Sequence, residues 1–280
     1  MRRIRMLIPA LLLLAVAPAA AQDATGLPLR LVVNVPAGRL YVYEGGQLAE
    51  TYPVSVGLPQ YRTPRGAFQI SRVIWNPWWN PPPDSEWARG KPPVSPGYHN
   101  PMGRVKLHME EMYYIHGTVS ANEAKLGRPA SHGCIRMSNK DVVALARRVH
   151  AYAAPQLNPA TLDALVAAPT RTREVGLSRP ISLQVTYDMV EVRDDRLVIH
   201  PDVYRLAPAD LDKQIAWKLL YAGYHPAAAQ VRVAEALTGF RKHGRASVSL
   251  AAAERVSNVD ASVSVLSAPD RASITVNPHR

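Results

Sequence analysis

Apolar and polar residues alternate with a period of two in several short runs after position 28. LRLVVNV (29–35), RLYVYE (39–44) and QLAETYPVSVG (47–57) read as strands, with Gly45-Gly46 linking the last two in a tight hairpin. A fourth strand, GAFQISRVI (66–74), follows Thr63-Pro64-Arg65. The pattern then breaks. Residues 75–101 hold four of the five tryptophans (Trp75, Trp78, Trp79 and Trp87) among prolines and glycines, without either period. A loop of this length inside a domain serves as a lid or binding wall, or covers a small aromatic core. Strand character returns at GRVKLHM (103–109) and MYYIHG (112–117), and a polar loop then leads into SHGCIRM (131–137).

Helical spacing appears later. Ser138 with Asp141 three residues on marks a helix start, and Val142, Leu145, Ala146 and Val149 fall on one face, which predicts a helix over 139–152 packed on the sheet. A weaker helix is expected from Pro159 to Ala168. ISLQVTYDMVEV and RLVIH read as a hairpin turning at Asp194-Asp195, with helices around 208–222 and 226–241. The stretch from Val248 onward is rich in Ala, Ser and Val and carries no clear period. The fold class is therefore mainly β, with a packed helix and a smaller helical C-terminal part over 201–280.

Composition changes this picture in three places. The 25 prolines disfavour a helical bundle and suit strands and loops. Arg2, Arg3 and Arg5 precede an apolar run from Met6 to Ala17 and small residues ending at Ala21, the signature of a signal peptide over 1–21. The run falls short of the roughly 20 residues of a membrane span, so a periplasmic or cell-envelope protein with no stable span after leader cleavage is expected. Loss of three arginines would lower the formal charge from +11 to +8. In an exported protein such a balance points to anionic wall polymers or lipid headgroups rather than nucleic acid, although a solvated charged surface reads the same way.

The single cysteine, Cys134, cannot form an internal disulfide, so it is either buried or chemically employed. Its surroundings favour chemistry. His116-Gly117-Thr118 is followed, after fourteen residues from Gly117 through Ala130, by Ser131-His132-Gly133-Cys134-Ile135-Arg136. A thiol acylase needs an imidazole to take its proton. If the strands ending at His116 and beginning at Cys134 are neighbours, the two side chains meet. The Gly133 and Cys134 amides are then candidate oxyanion donors, and Arg136, two residues on and on the same strand face, a candidate for a substrate carboxylate.

This pattern resembles the L,D-transpeptidase catalytic domain, whose signature is a histidine, a spacer of fourteen to seventeen residues, and Ser/Thr-His-Gly-Cys. The likeness extends through TPRGAFQI (63–70) and NPMGRVKL (100–107) and covers roughly residues 29–200. It implies a β-sandwich-like catalytic domain in which His116 is the base, the Gly117 carbonyl orients it, Cys134 is the nucleophile, and Ser131, His132 and Gly133 shape the oxyanion site. Arg136, Trp75 and Trp78 are expected to contact substrate. The family often carries Asn where this chain has Arg136. The implied reaction attacks the third residue of a peptidoglycan stem peptide, usually meso-diaminopimelate, and expels the terminal D-alanine. The acceptor would be a second stem or a lysine of an outer-membrane lipoprotein or barrel protein; water would make the site a carboxypeptidase. Sensitivity to carbapenems, and no cofactor, follow from the same resemblance. Two other readings are a zinc site from His108, His116, His132 and Cys134, whose spacing fits no common zinc pattern, and a wall-binding scaffold, which would have no use for a reduced thiol.

Overall fold

The computed structural model describes residues 28–206 and 210–255; the leader expected over 1–21 lies outside them. β1 (Leu29–Asn34), β2 (Arg39–Glu44) and β3 (Gln47–Pro53) form an antiparallel meander. Gly45 and Gly46 both take positive φ, which closes the β2–β3 hairpin as their chemistry allows. β4 (Gly66–Trp75) runs into the Trp-rich loop, whose one helical feature is a 3-10 turn at Glu86–Ala88. Then come β5 (Val105–Glu110), β6 (Tyr113–His116), a one-turn α1 (Ser120–Glu123) and β7 (Ile135–Arg136). After them, α2 (Asn139–Ala153) and α3 (Pro159–Ala167) lead to the long β8 (Arg173–Thr186).

These strands form one eight-stranded sheet in the order β3-β2-β1-β8-β4-β5-β6-β7. The sheet curls. Ser55, just past β3, bridges Arg136 of β7, so the two outermost strands are stitched together by reciprocal backbone hydrogen bonds of 2.8 and 2.9 Å. Leu31, Val33, Leu40, Val73, Leu107, Ile115, Ile135, Ile181 and Leu183 fill the enclosed face. α2 adds Val142, Leu145, Ala146 and Val149 to the same core, and Ser138 Oγ caps its first turn by accepting from the Asp141 amide at 3.0 Å.

The expected hairpin at 181–199 is divided. ISLQVT lies within β8, between β1 and β4, whereas β9 (Val190–Arg193) and β10 (Arg196–Ile199) turn at Asp194-Asp195 and pair with β11 (Ala246–Ser249) in a separate three-stranded sheet. α4 (Leu211–Tyr221) and α5 (Gln230–His243) pack on that sheet around Val190, Leu197, Ile199, Ile215, Leu219 and Ala236. The C-terminal part is thus helical and stranded together, because a two-helix pair alone could not cover its apolar faces. Between the two sheets, Tyr204 returns to the first core, and Asn34 and Tyr41 of the large sheet donate to Glu191 of the small one at 2.7 and 2.8 Å. No helix among the described residues is long and apolar enough to cross a membrane.

Candidate active site

Three neighbouring strands build the site by simple alternation. Val105, Leu107, Ile115 and Ile135 point into the core, so their neighbours Lys106, Tyr114, His116, Cys134 and Arg136 face the opposite way. The register pairs Lys106 with His116 in the antiparallel β5–β6 ladder and His116 with Arg136 in the parallel β6–β7 ladder. Cys134 stands one step before β7, and so diagonally across from His116. All five side chains line a cavity of about 870 Å³.

His116 is buried, and its Nδ1 lies 2.5 Å from the Gly117 carbonyl oxygen. The carbonyl can only accept, which places the proton on Nδ1 and leaves Nε2 free to act as a base. Burial, with Arg136 and Lys106 adding like charge, holds its pKa down to about 3, so the imidazole is neutral. Gly117 has no room for a side chain, since a Cβ there would strike Asn139 Oδ1. Asn139 accepts from the Arg104 amide and donates to the Thr118 carbonyl, both at 2.9 Å, and so fastens the end of β6 to the start of α2.

Cys134 is half-buried. Its thiol donates to the Met112 carbonyl at 3.6 Å. Burial raises its pKa, and the Tyr114 amide, Arg136 and Lys106 offset this only in part, so the resting sulfur is protonated. Gly133 precedes it at φ +108, and a Cβ there would come within 2.6 Å of Tyr113 Cε1. Ser131 is fully buried, accepts from the Gly133 amide at 3.1 Å and donates to the Cys134 carbonyl at 2.5 Å. Its hydroxyl therefore shapes the turn. The same bond corrects one expectation: the Gly133 amide is occupied internally and is not a free oxyanion donor.

His132 is a wall of the cavity. Its ring stacks on Trp87 at 4.1 Å and leans on Tyr61 at 4.7 Å, and its buried Nδ1 has no partner among the described residues. Arg136 anchors Nη1 on the Ala130 carbonyl at 3.0 Å while its buried Nε has no partner among the described residues. Trp78 is 49% exposed and lines the cavity. Trp75 does not. It is the last residue of β4, fully buried, and its indole N–H donates to His150 Nε2 of α2 at 2.9 Å. The expectation of substrate contact fails there because the strand continues one residue past the expected end and turns that side chain inward. His108, the further member of the supposed zinc set, packs edge-on against Tyr114 at 5.4 Å, and no group of three His, Cys, Asp or Glu side chains converges among the described residues.

Two contributors were missed from the sequence. Thr63 accepts from the Gly57 amide and donates to the Gly133 carbonyl, each at 2.8 Å, so the TPRG segment clamps the loop before the cysteine. Lys106 was hidden in GRVKLHM, where alternation alone would have set it opposite Val105 and Leu107 had the pairing with β6 been known.

The sequence profile of YkuD, the L,D-transpeptidase catalytic domain, matches residues 28–175. The chain belongs to this family. Within the L,D-transpeptidase family, the Bacillus licheniformis protein named as the L,D-transpeptidase YkuD is 36% identical over 121 residues, which cover 43% of this chain and 59% of that one. ErfK/SrfK of Escherichia coli (strain K12), also named as an L,D-transpeptidase, is 38% identical over 120 residues, covering 40% of this chain and 38% of that one. The chain thus spans less than two thirds of the length of either relative. Among solved structures, the catalytic domain of the E. faecium L,D-transpeptidase is 15% identical over 56% of this chain and 96% of its own, with a TM-score of 0.37.

Proposed function

We propose that the protein is an L,D-transpeptidase that acts through Cys134 on peptidoglycan stem peptides. The observation that carries this reading is the convergence of His116, Cys134 and Arg136, from two paired strands, on the floor of one open cavity. Binding of the donor would turn the thiol from Met112 toward His116 Nε2, which takes the proton as Sγ bonds to the carbonyl carbon of the third stem residue. The Cys134 amide meets the developing oxyanion in place of the occupied Gly133 amide. The C–N bond then breaks, and the proton on His116 passes to the departing D-alanine amine. In the second half the acceptor amine attacks the thioester, His116 takes its proton, and the sulfur leaves and is reprotonated.

The uncharged resting pair suits this cycle: the thiolate forms only when a carbonyl is present, which limits oxidation of a lone thiol in an exported protein. Arg136 would hold the carboxylate of the leaving residue with the donors not committed to Ala130. Trp78, Trp79 and Trp87 wall the cavity and exclude water from the thioester, which favours an amine over hydrolysis. Export by a leader cleaved after Ala21 would put the enzyme in the compartment of its substrate, and a carbapenem would acylate the same sulfur. The test is intact-protein mass spectrometry with disaccharide-tetrapeptide stems. The expected result is an acyl adduct on Cys134 with release of D-alanine, followed by a cross-linked or protein-linked product. An adduct elsewhere, or none in the wild type with full turnover in Cys134→Ala, sinks the proposal.

A further inference from the structure

The turn that carries Cys134 is held from outside the matched catalytic domain. After β10 the chain runs back to the large sheet, and Tyr204, beyond the residues 28–175 of the family match, is buried in the first core. Its ring stacks on Tyr187 at 5.6 Å. Its amide donates to the Tyr187 hydroxyl at 2.8 Å, that hydroxyl donates to Asp202 at 2.6 Å, and Arg62 Nη2 donates to the Tyr204 carbonyl at 3.1 Å. Backbone and ring are thus both fixed, which sets where the phenol oxygen points. It accepts from the amide of Thr63, itself buried, at 3.0 Å. A phenylalanine would fill the same space, so packing does not call for the hydroxyl; an acceptor for the Thr63 amide does.

Thr63 passes the constraint on. Its hydroxyl accepts from the Gly57 amide and donates to the Gly133 carbonyl, each at 2.8 Å. The Gly133 carbonyl and the Cys134 N–H are the two ends of one planar peptide unit. A hydroxyl fixed on the oxygen therefore sets the direction of the N–H that is to meet the oxyanion, and it polarises that N–H as well. Gly133, at φ +108, has no Cβ to limit its own rotation, so the orientation has to be imposed by a neighbour. We propose that Tyr204 is a positioning residue for acyl transfer: acting through Thr63, it orients the Gly133–Cys134 peptide so that the Cys134 amide points at the oxyanion of the carbonyl under attack. The segment after β10 is then part of the active site, although it supplies no reacting group. This rests on the transpeptidase reading above.

The test compares two reagents in the wild type and Tyr204→Phe, with modification of Cys134 followed by mass spectrometry. p-Nitrophenyl acetate acylates the sulfur through an oxyanion, forming a thioester as p-nitrophenolate leaves. Iodoacetamide alkylates the sulfur by displacement of iodide, without an oxyanion. In Tyr204→Phe acylation should slow about 10-fold while alkylation keeps its wild-type rate. The kcat for D-alanine release from disaccharide-tetrapeptide stems should fall by a similar factor with KM unchanged. Equal slowing of both reagents would mean that the phenol only supports the fold around the sulfur, and unchanged acylation would mean that its influence stops short of the peptide; either overturns the proposal. The double variant Thr63→Val/Tyr204→Phe should acylate no more slowly than Thr63→Val, since both changes act along one path, whereas losses that multiply overturn it. If the wild type releases no D-alanine from the stems, the transpeptidase reading falls, and the comparison of the two reagents still decides the role of Tyr204.

Discussion

At the scale of single residues, the proposed chemistry depends on two groups kept uncharged by the same cause. Removal from water lowers the His116 pKa to about 3 and raises that of Cys134, so no thiolate–imidazolium pair is present at rest. Iodoacetamide alkylation of the free protein should accordingly keep accelerating as the pH rises through and beyond 9; a rate that levels off near neutrality would reveal a preformed ion pair. Substitution at Gly133 tests geometry instead. Its φ of +108 and the Tyr113 edge leave no place for a methyl group, so Gly133→Ala should lower kcat/KM by 10-fold or more while the far-ultraviolet circular dichroism stays unchanged. Cys134, His116 and Arg136 stood out in the sequence as candidates because chemistry restricts which residue types can serve as nucleophile, base or anion holder. Trp75 was misread since indole is equally suited to a core and to a binding wall.

At the scale of elements, positions two apart on adjacent strands do most of the assembly, and the segments around them hold the ladder still. The strand expected to begin at Cys134 starts one residue later and comprises only Ile135–Arg136. Gly133 leaves the extended region and Ser131 folds back on the Gly133 amide and the Cys134 carbonyl, which lifts the sulfur out of a regular ladder. Thr63 holds that turn from the far side. In Thr63→Val both the Gly57 amide and the Gly133 carbonyl lose a buried partner, so a stability loss of about 1–3 kcal/mol is expected in chemical denaturation, together with reduced turnover. The cap of α2 separates stability from chemistry. Ser138→Ala removes the acceptor for the Asp141 amide and should cost about 1 kcal/mol, whereas Asn139→Ala frees the Thr118 carbonyl and the Arg104 amide behind His116 and should lower kcat/KM as well. Thermal melts with parallel D-alanine release assays would separate the two effects.

At the scale of the whole molecule, two cores share one chain, and the elements around the larger one hold two buried, neutral histidines, His116 on the cavity side and His150 on α2. His150 accepts from Trp75 at 2.9 Å, and burial holds its pKa down to about 4. An unfolded histidine titrates at about 6.5, so below that pH the unfolded chain binds protons that the folded protein refuses at both His116 and His150. Stability should therefore be complete above about 6.5 and be lost as the pH falls toward 4, read as a declining Tm in scanning calorimetry. His150→Gln keeps an acceptor for Trp75 and removes one of the two groups, so its Tm should fall less steeply over that window. A slope equal to that of the wild type would mean that His150 is protonated in the folded protein.

The sequence by itself singled out Cys134 and His116 as candidates, and determined the helix expected over 139–152 and the mainly β character, because periodicity and restricted chemistry are local properties. Only the tertiary structure decided which strands became neighbours. The split of the 181–199 segment between two sheets and the closure of the large sheet by Ser55 and Arg136 rest on contacts between residues far apart in the chain. So do the inward turn of Trp75 and the placing of Lys106 beside His116. Alternation says which side chains share a face of one strand, but it carries no record of the strand alongside, since pairing is chosen by the burial of the whole apolar set at once.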